Sequence, residues 1–198
     1  MNLFLDICQG LGLGAAAGIR PFLPAVLAGL LTMGDLGLDF DGTPFSFLES
    51  PVWLVALAVV MVLTFVLSRG ENAGGDGFID AAVGGLAMGI AALLFAGSLA
   101  DHGRDSAGWI VVAVVAGIAV AALGNAAVRD LAARTAERLD AAARRALPLW
   151  FEGVALVLAA LSIVVPPVAL VVLPFLVWLL LGGRKREGGK YAGLRVLR

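Results

Sequence analysis

Arg20 stands inside an apolar stretch that runs from Leu3 to Met33, with Pro21 directly after it and Pro24 close behind. A guanidinium keeps its proton at any ordinary pH, and placing one near a bilayer centre costs about 2.5–3.5 kcal/mol even on the lenient insertion scale. Pro21 breaks a helix at the same point, so a charge and free backbone amides meet at the start of a new half helix. That combination suits an anionic group. The alternative of equal weight is a structural ion pair sealed inside the bundle. Three acids could face Arg20 in either case. Glu152, which opens a late apolar stretch just after Trp150 and Phe151, is the first choice; Asp80 is the second and Asp6 the third. Glu152 also reads as an interfacial carboxylate beside an aromatic belt. Asp80 also reads as an acid favouring the first turn of its helix through the macrodipole. Gln9 and Asn125 are expected to bond between helices.

Other chemistry is poorly provided for. With one cysteine, Cys8, and one histidine, His102, an intrachain disulfide, a thiolate cluster and a two-histidine metal site have no residues to build them. No G-x-S-x-G elbow and no Ser–Lys dyad at a plausible depth is present. We therefore expect no catalytic residues, no metal, no cofactor and no enzyme. The basic segments lack interleaved aromatics, which argues against nucleic acid and for anionic lipid headgroups at the cytoplasmic face.

The elements that must position Arg20 follow from composition. The chain has 198 residues, 61% of them hydrophobic and only 15% charged, with a mean hydropathy of +0.98. This predicts an all-α integral membrane protein. Apolar runs fall at 3–19, 21–33, 51–68, 78–99, 108–128, 149–165 and 168–181. A full span needs about 17–25 residues, so 51–68, 78–99 and 108–128 are expected to cross the membrane. The other four come in pairs, one broken at Arg20-Pro21 and one at Pro166-Pro167. Each pair is a re-entrant hairpin or a kinked span.

Loop 34–50 carries acids and no lysine or arginine, whereas 129–147 and the tail are rich in arginine. The positive-inside rule puts the loop outside and the C-terminus in the cytoplasm. That makes 149–181 a hairpin entering from the cytoplasm and 3–33 a hairpin entering from outside. Segment 126–147 reads as a cytoplasmic amphipathic helix ended by Leu147-Pro148, within a single transmembrane domain 1–183 followed by a basic tail 184–198. Gly10, Gly14 and Gly18, and likewise Gly85 and Gly89, are spaced by four and predict faces for close helix packing. A second copy of the chain is a candidate partner for such faces. Met1-Asn2 offers no positive charge, and Asp6 and Gln9 interrupt the first apolar run, so a cleaved signal peptide is not expected.

The stretch GLGLGAAAGIRPFLPAVLAGLL, with Gly18, Arg20, Phe22 and Pro24 in register, resembles the N-terminal signature of a bacterial membrane-protein family known as domain of unknown function 4126. Ser50-Pro51, Asp76, Asp80, Glu152 and the Pro166-Pro167 break follow in a similar order. After the second span the family often carries an acidic, Asp-Lys-x-Pro-type motif; here Ser68 to Asp76 contains no lysine and no proline. The resemblance implies a multi-pass fold in the bacterial inner membrane and no particular activity. From the residues themselves, two functions are open. One is a small transporter or channel whose midplane site around Arg20 takes a small anionic solute. The other is a non-transporting scaffold or accessory subunit packed through its glycine faces.

Overall fold

The computed structural model describes the backbone of residues 2–34, 36–70 and 77–192, and side chains within these except 67–70, 77–80, 145 and 183–192. Glu71, Asp76 and the side chain of Asp80 thus lie outside the described residues. Those described are all-helical: α1 (Leu3–Ile19), α2 (Phe22–Thr32), α3 (Pro51–Gly70), α4 (Gly77–Ala100), α5 (Ala107–Ala136), α6 (Ala141–Val164) and α7 (Ala169–Ala192). Short 3-10 turns occupy Ser46–Glu49 and Pro166–Val168.

Each boundary has a local cause. A residue before proline is pushed out of the helical region, and Arg20, at φ −152 and ψ 126, ends α1 in extended backbone. Ser50 opens α3 by accepting the Trp53 backbone N–H at 3.2 Å, with Pro51 in the first helical position, where no N–H is required. Asp140 opens α6 by accepting the Ala143 N–H at 2.7 Å. Val165, before two prolines, closes it in non-helical backbone.

α1 is the centre of the molecule and is buried along most of its length. It runs alongside α5 in the same direction and antiparallel to α4 and α6: Gly10 faces Phe95, Gly12 faces Ser162, and Gly18 faces Ala121. At Gly18 the approach is backbone to backbone, since a Cβ there would lie 2.5 Å from the Cα and O of Ala121. Gly14 is likewise turned to Gly117, so the whole series 10, 14 and 18 packs inward. The pair at 85 and 89 does not. Both face open space with nothing within 4 Å, because Ala87, Ala91, Leu94 and Phe95 form the buried stripe of α4 and these two glycines lie to one side of it.

After α2 the chain returns to the start of α1, where the Gln9 side-chain amide donates to the Gly37 carbonyl at 3.2 Å. Phe40 is wholly buried against Gly97. One end of the bundle is thus formed by the acid-rich loop before α3 and the loop 101–106. The arginine-rich α5–α6 turn forms another part of the surface, tied to α7 by the Arg134 guanidinium, which donates to the Leu179 carbonyl at 3.4 Å.

Three helices among the described residues are long and apolar enough to cross a membrane: Ala81–Ala100, Ala107–Ala136 and Ala146–Val164. The first two are the expected spans 78–99 and 108–128. The expected span 51–68 lies within α3, a 20-residue helix over Pro51–Gly70, and the third long apolar helix, Ala146–Val164, falls where half of a broken pair was expected. The expected helix 126–147 is corrected as well. α5 continues only to Ala136, a turn intervenes, and α6 begins upstream of Pro148 and runs through it. The Asp140 cap fixes the start of α6, and Arg144 donates to the Ala136 and Leu139 carbonyls, covering the end of α5. With the helix started before it, Pro148 removes one backbone bond without terminating the helix.

Candidate functional site

The Arg20-Pro21 break points at α6. Glu152, three turns into that helix, lies close enough for the Arg20 charge and the Leu23 backbone N–H to act on its carboxylate. Leu23 belongs to the first turn of α2, where amides have no intrahelical acceptor and the helix dipole favours an anion. Glu152 therefore puts a carboxylate where the sequence suggested an anionic ligand could sit.

The pair is not fully satisfied. Arg20 Nε and Glu152 Oε2 are both buried and neither has a hydrogen-bond partner. Both residues line a cavity of about 510 Å³ whose other walls include Phe22 and Leu23 of α2, Met61 and Thr64 of α3, Val83 of α4 and Leu149 of α6. The Thr64 hydroxyl donates to the carbonyls of Val60 and Met61 in its own helix. Arg20 and Glu152 are thus the charged groups of an otherwise mostly apolar chamber.

The other expected partner, Asp6, is elsewhere. It lies fourteen residues up α1 from Arg20, about 21 Å along the helix axis. There its side chain is wholly buried and paired with Arg104. His102 stands beside the same carboxylate, with Nε2 3.7 Å from Asp6 Oδ1, while Nδ1 lies 3.6 Å from Asp101 Oδ2 and 3.2 Å from the Ser98 carbonyl. The Ser98 hydroxyl donates to Gln9 Oε1 at 3.4 Å. Burial pushes the Asp101 carboxyl above the usual carboxylate range, against the lowering effects of His102 and of the Asp39 backbone N–H. Sequence reasoning assigned none of Arg104, Asp101 and His102 to a site. The signal available was the i,i+3 pair Asp6 and Gln9 on α1, read together with the charged cluster that closes α4 at what the charge rule made the same membrane face.

The sequence profile of the family described as a domain of unknown function, number 4126, matches residues 7–185. The chain belongs to this family. The resemblance drawn from Gly18, Arg20, Phe22 and Pro24 is therefore right, and the match includes both Arg20 and Glu152. No curated protein and no solved structure matches the chain. The family description assigns no activity, so function rests on the chemistry of this site.

Proposed function

We propose that this domain of unknown function 4126 protein is a small multi-pass transport protein of the bacterial inner membrane. Its Arg20 site takes an anionic group in competition with the Glu152 carboxylate. The observation that carries this reading is that Arg20 and Glu152, each with one buried and unpartnered polar atom, line one cavity. A purely structural ion pair gains most when every donor and acceptor is satisfied. Here each residue leaves one polar atom without a partner, beside a space large enough for a small solute.

The reading includes an architecture. α1 and α2 have 17 and 11 residues, so at about 1.5 Å per residue α2 reaches only about 17 Å. We take α1–α2 as one re-entrant hairpin, with Arg20-Pro21 at its tip, and α6, 24 residues long, as a span that carries Glu152 past that tip and turns at Pro166-Pro167 beside the loop before α3. A helix broken within the membrane is a recurrent way to build a solute site. The arginines of 129–147 and the basic tail support a cytoplasmic C-terminus, facing anionic headgroups.

Two measurements test the proposal together. In a Cys8→Ser background, Thr64→Cys is expected to react with a membrane-impermeant thiol reagent applied from one side of the membrane. Proteoliposomes of the wild-type chain are expected to take up at least one of labelled phosphate, sulfate or succinate above protein-free vesicles, with about a tenfold or greater loss in Arg20→Gln. A Thr64→Cys chain that stays silent from both sides, together with no uptake of any of the three, overturns transport in favour of a packed scaffold.

A further inference from the structure

At the other end of α1, away from the Arg20 cavity, Asp6 raises a separate question. Its side chain is wholly buried; Oδ2 accepts from Arg104 Nη1, yet Oδ1 has no hydrogen-bond partner. His102 Nε2 lies 3.7 Å from that oxygen. The tautomer of the ring is set on its far side. Nδ1 lies 3.2 Å from the Ser98 carbonyl, which can only accept, so Nδ1 carries the hydrogen. In the neutral ring Nε2 is then an acceptor, and it faces a carboxylate oxygen that also only accepts. One proton on Nε2 removes this conflict and supplies the donor that Oδ1 lacks.

We propose that Asp6, His102 and Asp101 form a proton-binding site. In its loaded form it clasps α1, the end of α4 and the loop before α3 together. The local charge calls for such a ligand: Asp6 from α1, Asp101 from the α4–α5 loop and, behind it, Asp39 from the α2–α3 loop are set against the single guanidinium of Arg104. The imidazolium lies between two of these carboxylates, with Nε2 toward Asp6 and Nδ1 toward both the Ser98 carbonyl and Asp101. The loop is part of the same assembly, because the Asp39 backbone N–H serves Asp101 and the Gly37 carbonyl accepts from Gln9, whose other amide atom accepts from Ser98. Loss of the proton returns the facing acceptors at Asp6 and weakens the hold on segment 36–50. The site stands independently of the transport reading, since it shares no residue with the Arg20 cavity.

The test uses the full chain in lipid nanodiscs. His102 is the only histidine, so selective nitrogen-15 labelling of histidine gives one ring to follow by NMR. Across a pH series both ring nitrogens are expected to carry protons in the loaded form, and the proton that leaves as the pH is raised is expected to come from Nε2, leaving the Nδ1–H tautomer. A neutral ring protonated on Nε2 overturns the proposal without any variant being made. Hydrogen exchange over 36–50, corrected for the intrinsic pH dependence of the rate, is expected to lose about tenfold in protection over the same range. That loss is expected to vanish in His102→Gln and in Asp6→Asn. Equal pH dependence in the wild type and in both variants refutes the clasp, as does its absence from the wild type.

Discussion

The buried pair at the end of α1 yields an asymmetric prediction. The Asp6 side chain is 0% exposed and that of Arg104 is 22% exposed. Arg104→Met strands a carboxylate that has no route to water, and breaking a buried pair this way costs about 3–5 kcal/mol. Asp6→Asn is milder. The amide keeps an acceptor for Arg104, and the guanidinium, already partly exposed, can turn toward solvent, so the expected cost is about 1–2 kcal/mol. At about 2–4 °C per kcal/mol for a chain of this length, Arg104→Met lowers the melting temperature by about 6–20 °C and Asp6→Asn by about 2–8 °C. The double variant Asp6→Asn/Arg104→Met removes both charges and leaves no ion at the site. It is expected to recover at least about 2 kcal/mol relative to the sum of the singles, because neither charge remains unpaired. Thermal unfolding of the four proteins in one detergent, followed by the fluorescence of the four tryptophans, gives the comparison. If Asp6→Asn costs as much as Arg104→Met, or if the two changes add, the burial difference does not govern the energetics and the reasoning is refuted.

Three further outcomes follow from the packing and charge. Gly18→Ala forces a methyl to within 2.5 Å of the Ala121 backbone, and since backbone cannot rotate away, melting should report a net loss of about 1–2 kcal/mol; Gly85→Ala, with nothing within 4 Å, should be neutral or gain up to about 1 kcal/mol, and equal responses would contradict the packing. The folded chain holds the Asp101 proton above the ordinary carboxylate range because of burial, so between about pH 4 and the raised value it binds more protons than the unfolded chain and stability falls as pH rises; Asp101→Asn should flatten that part of the melting profile, and an unchanged slope would assign it to another group. Asp140→Ala removes the acceptor for the Ala143 N–H and should cost about 1 kcal/mol, seen as faster amide exchange over 141–144; unchanged exchange there would show that the cap does not hold the helix start.

How much of this was legible in the sequence depended on how far each cause reaches. The break at Arg20 was readable because the clash before a proline is local, and so was the series Gly10, Gly14 and Gly18, where one helix is hemmed in on several sides. That Glu152 comes within the electrostatic reach of Arg20 was readable because few charges occur at all within apolar stretches. The full length of α6 was missed because Pro148 looks like a terminator when the Asp140 cap upstream is given no weight. Gly85 and Gly89 were misread because spacing gives a stripe but not the direction it faces, and the alanines and large side chains beside them decide that. Asp6 with Arg104 was missed because the two are 98 positions apart in the chain. Neither residue carries a local sign of the other; only the expected placement of both segments on one membrane face connected them.

The central position of α1 has a consequence for biosynthesis. α1 leaves the ribosome before the helices that enclose it, and its polar groups wait for partners that do not yet exist. Arg104 is 98 residues behind Asp6, and Glu152 follows Arg20 by a still longer stretch of chain. At about 5–20 residues per second, α1 spends on the order of 5–20 s without Arg104. During that interval Asp6, Gln9 and Arg20 must be sheltered by water, headgroups or the insertion machinery, and α1 can take its final place only after α4, α5 and α6 have been made. Assembly of this bundle therefore runs against the order of synthesis, with α1 made before its neighbours and enclosed after them.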